Sequence, residues 1–314
     1  MKEIKKIDVP QKTGSYADTL VAIGTASLVL SLSGKPDAKI AIVNAGSHYR
    51  ITIFPALTEA DFDRWLPETG YQYFQGKEDD LVPEGIPASQ IYSYEQERAR
   101  QQAYRQAQKT GTDAVGSQEI IGAGPDFAIW RTFNAMVAAK GSTSPNKLFE
   151  LINNTPDIRD YLKWRFGLIA DKPIDFPEKS FASAAAPLQL FNPLSGKGVH
   201  RPKPDSTGAA SFPSRLVDWF DEWMKFRALN KALLTSSFGD DTKILVLIPE
   251  EIPYSAYRQI YLSLQDKIQN IWGNLVFDVR VSLELAKVLV EYSEEFQGGK
   301  GTFRLRSRTP KQVI

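Results

Sequence analysis

Residues 15–33, SYADTLVAIGTASLVLSLS, carry one charge, Asp18, over nineteen positions. A helix apolar on nearly every side belongs either in the core of a large protein or across a membrane. The longest apolar run within it, Leu20 to Leu32, is interrupted by Gly24, Thr25, Ser27 and Ser31. A bilayer needs about 20 predominantly apolar residues, so the segment reads as a buried helix. Ser15 or Asp18 can cap its start, and Gly34 with Pro36 ends it. Small residues at Ala22, Gly24 and Ala26 would let another backbone approach closely. Tight helix packing is the plain reading.

The rest of the composition restricts the chemistry. The 314 residues are long enough to bury a sizeable core. There is no cysteine, which removes thiol nucleophiles, disulfides and thiolate metal sites. Only His48 and His200 supply imidazole, 152 positions apart (200 − 48). With 38 basic and 37 acidic residues the net charge is +1, so a nucleic-acid surface has to be a local patch. The start, MKEIKKIDVP, lacks the apolar core of a signal peptide, and the expectation is a cytoplasmic chain without membrane partners.

Two short apolar runs, 39–44 and 49–55, are joined by AGSH and read as a hairpin. Residues 58–65 follow as a short helix opened by Thr58, with Glu59 and Asp61 in its first turn. An irregular stretch runs from Pro67 to Pro87, and 93–109 reads as a polar surface helix. Further helices are expected over 127–139, over 145–163 with a break near Pro156, and over 214–233. In the last, Leu216, Phe220, Trp223 and Phe226 form an aromatic stripe that reads as core. Residues 241–249 read as a central strand, 255–271 as a helix, 274–281 as a strand and 282–296 as a helix. The expected class is α+β, mixed helices and small sheets. Two subdomains are expected: an N-terminal α+β part over 1–170 and a C-terminal α/β part over 214–314. A proline-rich basic loop region, 171–213, separates them.

Cations concentrate in two places. The loop FNPLSGKGVHRPKPD (191–205) gathers Lys197, His200, Arg201 and Lys203 beside Asn192. Gly196 and Gly198 there permit close backbone approach. The tail has no acid after Lys300, and TFRLRSR alternates as a strand would. That puts Arg304, Arg306 and Arg308 on one face, spaced to track a phosphate backbone; a solvated terminus is the plain alternative. Catalytic signals are missing: no HExxH spacing and no Gly-x-Ser-x-Gly elbow. The glycine-rich GTDAVGSQEIIGAGP (111–125) lacks the Lys-Ser/Thr ending of a phosphate loop. No metal, cofactor or enzymatic activity is expected.

Two segments carry a resemblance. SYADTLVAIGTASLVLSL followed by a hairpin resembles the N-terminal opening of the large subunit of type I CRISPR effector complexes (Cascade). LQLFNPLSGKGVHRPKPDSTG followed by SRLVDWFDEWMKFRAL is similar to the Asn-Pro, Gly-Lys-Gly, Arg/Lys loop and following helix of type I-A and I-B large subunits. Together they span about residues 15–55 and 188–235. The resemblance implies a noncatalytic subunit that binds the 5′ handle of crRNA and reads the protospacer-adjacent motif of target double-stranded DNA. Its implied partners are the other Cascade subunits and a helicase–nuclease or transposition factors, in antiviral defence or transposition. Many such subunits continue into a C-terminal helical bundle, whereas this sequence runs out in a basic strand at Ile314, which leaves open whether the bundle is absent, removed or supplied as a separate small subunit. A small-molecule enzyme or a structural interaction protein are the alternatives from other classes.

Overall fold

A computed structural model describes residues 2–35, 37–66, 73–75, 158–171, 218–238, 241–268 and 274–297, with short pieces between 82 and 103. Its elements are helices and small sheets, an α+β fold. The chain divides into two compact units, Met1–Ser255 and Ala256–Ile314.

The first unit is organised around α1 (Tyr16–Ser33), the apolar stretch of the sequence. Ser15 caps it, its side chain accepting the Ala17 N–H, and Gly34 closes it at φ +55° in the left-handed region. Asp18, buried in the first turn, accepts from the backbone N–H groups of Lys12, Thr13 and Gly14 and so fixes the entering loop. By length and hydropathy α1 would suffice to cross a membrane. Within the protein 83% of it is buried, as expected of a core helix.

Two layers cover α1. One is an antiparallel sheet of β1 (Ile4–Pro10), β2 (Lys39–Asn44), β3 (His48–Leu57) and β8 (Glu251–Pro253), in the order β1-β3-β2-β8. Val9, Ile40, Ile42, Tyr49, Ile51 and Ile53 are buried on its inner side. There the Tyr49 and Thr19 hydroxyls share a buried hydrogen bond at 2.9 Å. Burial pushes the Tyr49 phenol up, against the opposing effect of that hydrogen bond. The other layer is α4 (Trp219–Ala232), which packs along α1. A Cβ added at Gly24 would lie 1.9 Å from the Met224 carbonyl oxygen, so the two helix backbones are in direct contact. Gly24 does what its size suggested.

Of the aromatic stripe, Phe220 and Trp223 are buried with Met224, Ala228 and Leu229, while Phe226 is half-buried. Two helices add to the unit, α2 (Glu59–Arg64) and α3 (Ile158–Arg165). Thr58 and Asp61 form a reciprocal capping box on α2. Lys163 of α3 holds Asp63 at 2.7 Å and Asp160 at 3.0 Å, joining α2 to α3. Short strands β4 (Tyr73–Gln75) and β5 (Ile91–Ser93) pair in parallel. Strands β6 (Leu233–Phe238) and β7 (Asp241–Val246) form an antiparallel pair.

In the second unit, α5 (Tyr254–Ile268, from Ala256 onward) and α6 (Asn274–Gln297) are joined by Ser263 to Tyr292 at 3.0 Å and Lys267 to Glu291 at 2.9 Å.

Three expectations are corrected. Residues 274–281 are the first turns of α6 and not a strand. Phe277, Val279 and Val281 alternate with Asp278 and Arg280, which mimics a strand. The buried set Phe277, Val281 and Val288 has helical spacing instead. Among the described residues, 241–249 do not supply a central strand, because β7 pairs only with β6 there, in a two-stranded sheet. The strand–helix–strand order expected over 241–281 is therefore strand, strand, helix, helix. Strands β1, β5, β6 and β8 were not expected, nor was β4, which falls within the stretch from Pro67 to Pro87 expected to be irregular. The helix over 127–139, most of those over 93–109 and 145–163, and the loop over 171–213 (save Asp171) lie outside the described residues.

Candidate nucleic-acid interface

All eight residues singled out from the sequence, Asn192, Lys197, His200, Arg201, Lys203, Arg304, Arg306 and Arg308, lie outside the described residues. The structure brings a different polar set together, on the side of the four-stranded sheet that faces away from α1.

Strand alternation builds this surface. In β3, Tyr49, Ile51 and Ile53 turn inward, so His48, Arg50, Thr52 and Phe54 turn outward. Register then fixes the neighbours in rows. Phe54 pairs with Lys39 of β2, and Thr52 pairs with Lys6 of β1 and Ala41 of β2, which in turn meets Pro253 of β8. Arg50 pairs with Asp8 and Val43, and Val43 meets Glu251. His48 pairs with Pro10. The turn between β2 and β3 is set by Gly46 at φ +87°, whose N–H donates to the Asn44 side chain at 3.0 Å.

The face divides electrostatically. At one end Arg50 donates twice to Asp8, from Nε at 2.8 Å and from Nη2 at 3.1 Å. The pairing holds the Asp8 carboxyl below its ordinary value, through the Arg50 hydrogen bond first and then the Arg50 and His48 charges. His48 Nε2 lies 3.5 Å from Asp8 and 3.2 Å from Arg50. This end is internally compensated. At the other end Lys6, opposite Thr52, and Lys39, opposite Phe54, are exposed, and Phe54 itself is 69% exposed. Cations beside an exposed aromatic ring supply both contacts that a nucleic-acid strand offers, phosphate and base face.

A second polar cluster ties the entering loop of α1 to α3 and α4. Lys12 Nζ reaches Asp221 at 2.5 Å and Asp218 at 3.3 Å, and Arg165 is paired with Asp218 and lies 3.7 Å from Asp221. Arg165 also sits 5.0 Å from the centre of the Phe220 ring. Burial works against both carboxylates. At Asp218 the Arg165 and Lys12 charges outweigh it and hold the carboxyl below its ordinary value. At Asp221 burial and the charge of Asp218 prevail and push it up. Two carboxylates shifted apart resemble an acid–base pair. Here each is gripped by both cations, so the cluster works as a clamp between three segments. Among the described residues, no group of three His, Asp or Glu side chains is placed to hold a metal ion.

Sequence reasoning missed Lys6, Lys39 and Phe54 as a set. The signal was the period-two alternation of HYRITIF, which marks the outward residues of one strand. Their partners on β1 and β2 follow only from register. Comparison with known proteins finds no matching family model, no similar curated protein and no similar solved structure.

Proposed function

We propose that the chain is a noncatalytic, cytoplasmic large subunit of a type I CRISPR effector complex, resembling those of type I-A and I-B systems. In that role it binds the 5′ handle region of crRNA and recognises the protospacer-adjacent motif of target duplex DNA. The division of labour is general to RNA-guided systems: protein reads a short duplex motif and base pairing reads the remainder. The resemblance over residues 15–55 and 188–235 suggests the family. The observation on which the reading chiefly rests is the outward sheet face, where Lys6 stands opposite Thr52 and Lys39 stands opposite the exposed Phe54. A near-neutral chain that binds nucleic acid needs such a local patch.

The loop Lys197, His200, Arg201, Lys203 with Asn192 and the tail Arg304, Arg306, Arg308 add further phosphate contacts in this reading. Such contacts position the ligand without reading sequence. The test is binding of crRNA and of target duplex across a salt series. Lys197→Ala with Arg201→Ala should weaken binding and reduce the salt slope by about one per lost phosphate contact. Replacing the three tail arginines with Glu should abolish assembly with crRNA and leave the thermal melt of the isolated chain nearly unchanged. Unaltered binding and assembly in both variants would refute the assignment of these contacts. Turnover of nucleic acid or nucleotide by the purified chain would refute the noncatalytic role.

A further inference from the structure

A single exposed apolar side chain on a protein surface needs no explanation. Phe54 differs in its setting. It projects from an inner strand of the sheet, and its cross-strand partner is Lys39. One step along β3, about 6–7 Å away, Thr52 sits between Lys6 on one side and Ala41 on the other. Ala41 is followed by Pro253 in the same row. That row is low, made of Thr52, Ala41 and Pro253, with the long Lys6 side chain at its β1 end. The outcome is an aromatic ring beside a shallow floor, with an ammonium on β1 and another on β2. Arg50 is not part of it, because its guanidinium fork is filled by Asp8.

These features select one form of nucleic acid. The base faces of a duplex are already stacked on one another, so an aromatic side chain on a flat sheet has none to meet. An unpaired base presents its face, and stacking on it is tolerant of sequence. The two lysines supply the backbone attraction that accompanies such stacking. We infer that Phe54 is a stacking platform for an unpaired base, with Lys39 and Lys6 holding the flanking phosphates. The sheet would then take single-stranded nucleic acid in preference to duplex. This inference rests on the nucleic-acid reading above and narrows it to one surface and one strand state.

The experiment uses the full chain at low salt. The probes are fluorescein-labelled oligouridine and oligothymidine of about a dozen nucleotides and a duplex of equal length, followed by anisotropy. Phe54→Ala should weaken binding of both single strands about 5- to 150-fold, the range that stacking of one base gives on alanine substitution. Its salt slope should stay that of the parent chain, and Phe54→Tyr should bind as the parent does. Lys6→Ala with Lys39→Ala should reduce the slope by about 1.4, at about 0.7 per phosphate of a single strand. Preference for RNA over DNA would add a 2′-hydroxyl contact and support the same platform. Three results would overturn it: no binding of either single strand, equal affinity of Phe54→Ala and parent, or duplex bound as tightly as single strand.

A parallel purification with crRNA separates this inference from the broader reading. A crRNA complex that forms normally with Phe54→Ala, together with unchanged oligonucleotide binding, leaves the subunit role standing and removes the platform. Phe54-dependent oligonucleotide binding by a chain that never assembles with crRNA would keep the platform and remove the subunit role.

Discussion

Replacing Gly24 with Ala tests the central packing contact of the fold. On helix propensity alone the change should stabilise α1 by about 0.8–1.0 kcal/mol. Packing opposes this. The new methyl carbon would sit 1.9 Å from the Met224 carbonyl oxygen, and 2.6 Å and 2.8 Å from its carbonyl carbon and Cα. A carbon–oxygen contact relaxes at about 3.3 Å, so α1 and α4 have to separate by about 1.4 Å. The obstacle is helix backbone, so no side-chain rotation relieves it. A gap of about 0.5–1 Å already forfeits a quarter to a half of each dispersion contact, and overpacked cores lose about 1–3 kcal/mol. Because α4 is the principal partner of α1, the upper part of that range applies and the net loss should be about 2 kcal/mol. For a unit of this size it corresponds to a fall in Tm of about 4–8 °C. Urea unfolding of Gly24→Ala and the parent chain measures it, with unchanged m values as the sign that the same fold is melting. A variant as stable as the parent, or more so, would show that the α4 backbone does not run against Gly24.

Other consequences follow from polar groups. Asp18→Ala leaves the Lys12, Thr13 and Gly14 N–H groups without their acceptor, and should cost about 1–3 kcal/mol with faster amide exchange confined to that loop. At Asp61, burial raises the carboxyl, but the Thr58 N–H and hydroxyl and the Lys35 and Arg64 charges outweigh it and hold it below its ordinary 3.8. Its stabilisation is therefore full above that value and lost as pH falls through the lower folded value. Asp61→Asn should be less stable than the parent at neutral pH and show a shallower acid transition, the two curves converging in strong acid. Lys12→Met should cost only about 1 kcal/mol, since Lys12 is half exposed. Arg165→Met should cost more, because it also removes the contact with Phe220. Equal losses in thermal melts of these two variants would argue against the ring contact.

Several elements of the first unit are legible in the sequence because each of them obeys one period or one cap rule. The apolar run of α1, the alternation of β2 and β3, and the Thr58–Asp61 cap all report local structure directly. Strand β1 escapes because Lys5, Lys6, Asp8 and Pro10 make it look like a charged leader. Charges and proline are what an edge strand carries to discourage unwanted pairing, and β1 is at the edge of the sheet. Strand β8 is three residues long, and its place beside β2 is a tertiary fact. Residues 274–281 mislead because Val279, 62% exposed, completes an apparent alternation that the buried Phe277 and Val281 do not need. The candidate site is half legible. Period two marks Phe54 and Thr52 as outward residues, yet Lys6 and Lys39 join them only through cross-strand register, which links positions 46 (52 − 6) and 15 (54 − 39) apart.

The most direct measurement of the subunit role is the identity of nucleic acid carried by the chain when it is isolated from its own cell. The chain should be purified at moderate salt, and the bound RNA extracted and sequenced. The account predicts RNA of discrete length that begins with a constant repeat-derived handle followed by variable spacers, copurifying with additional protein subunits. A chain isolated free of nucleic acid, or one carrying only a random sample of cellular RNA, would contradict it.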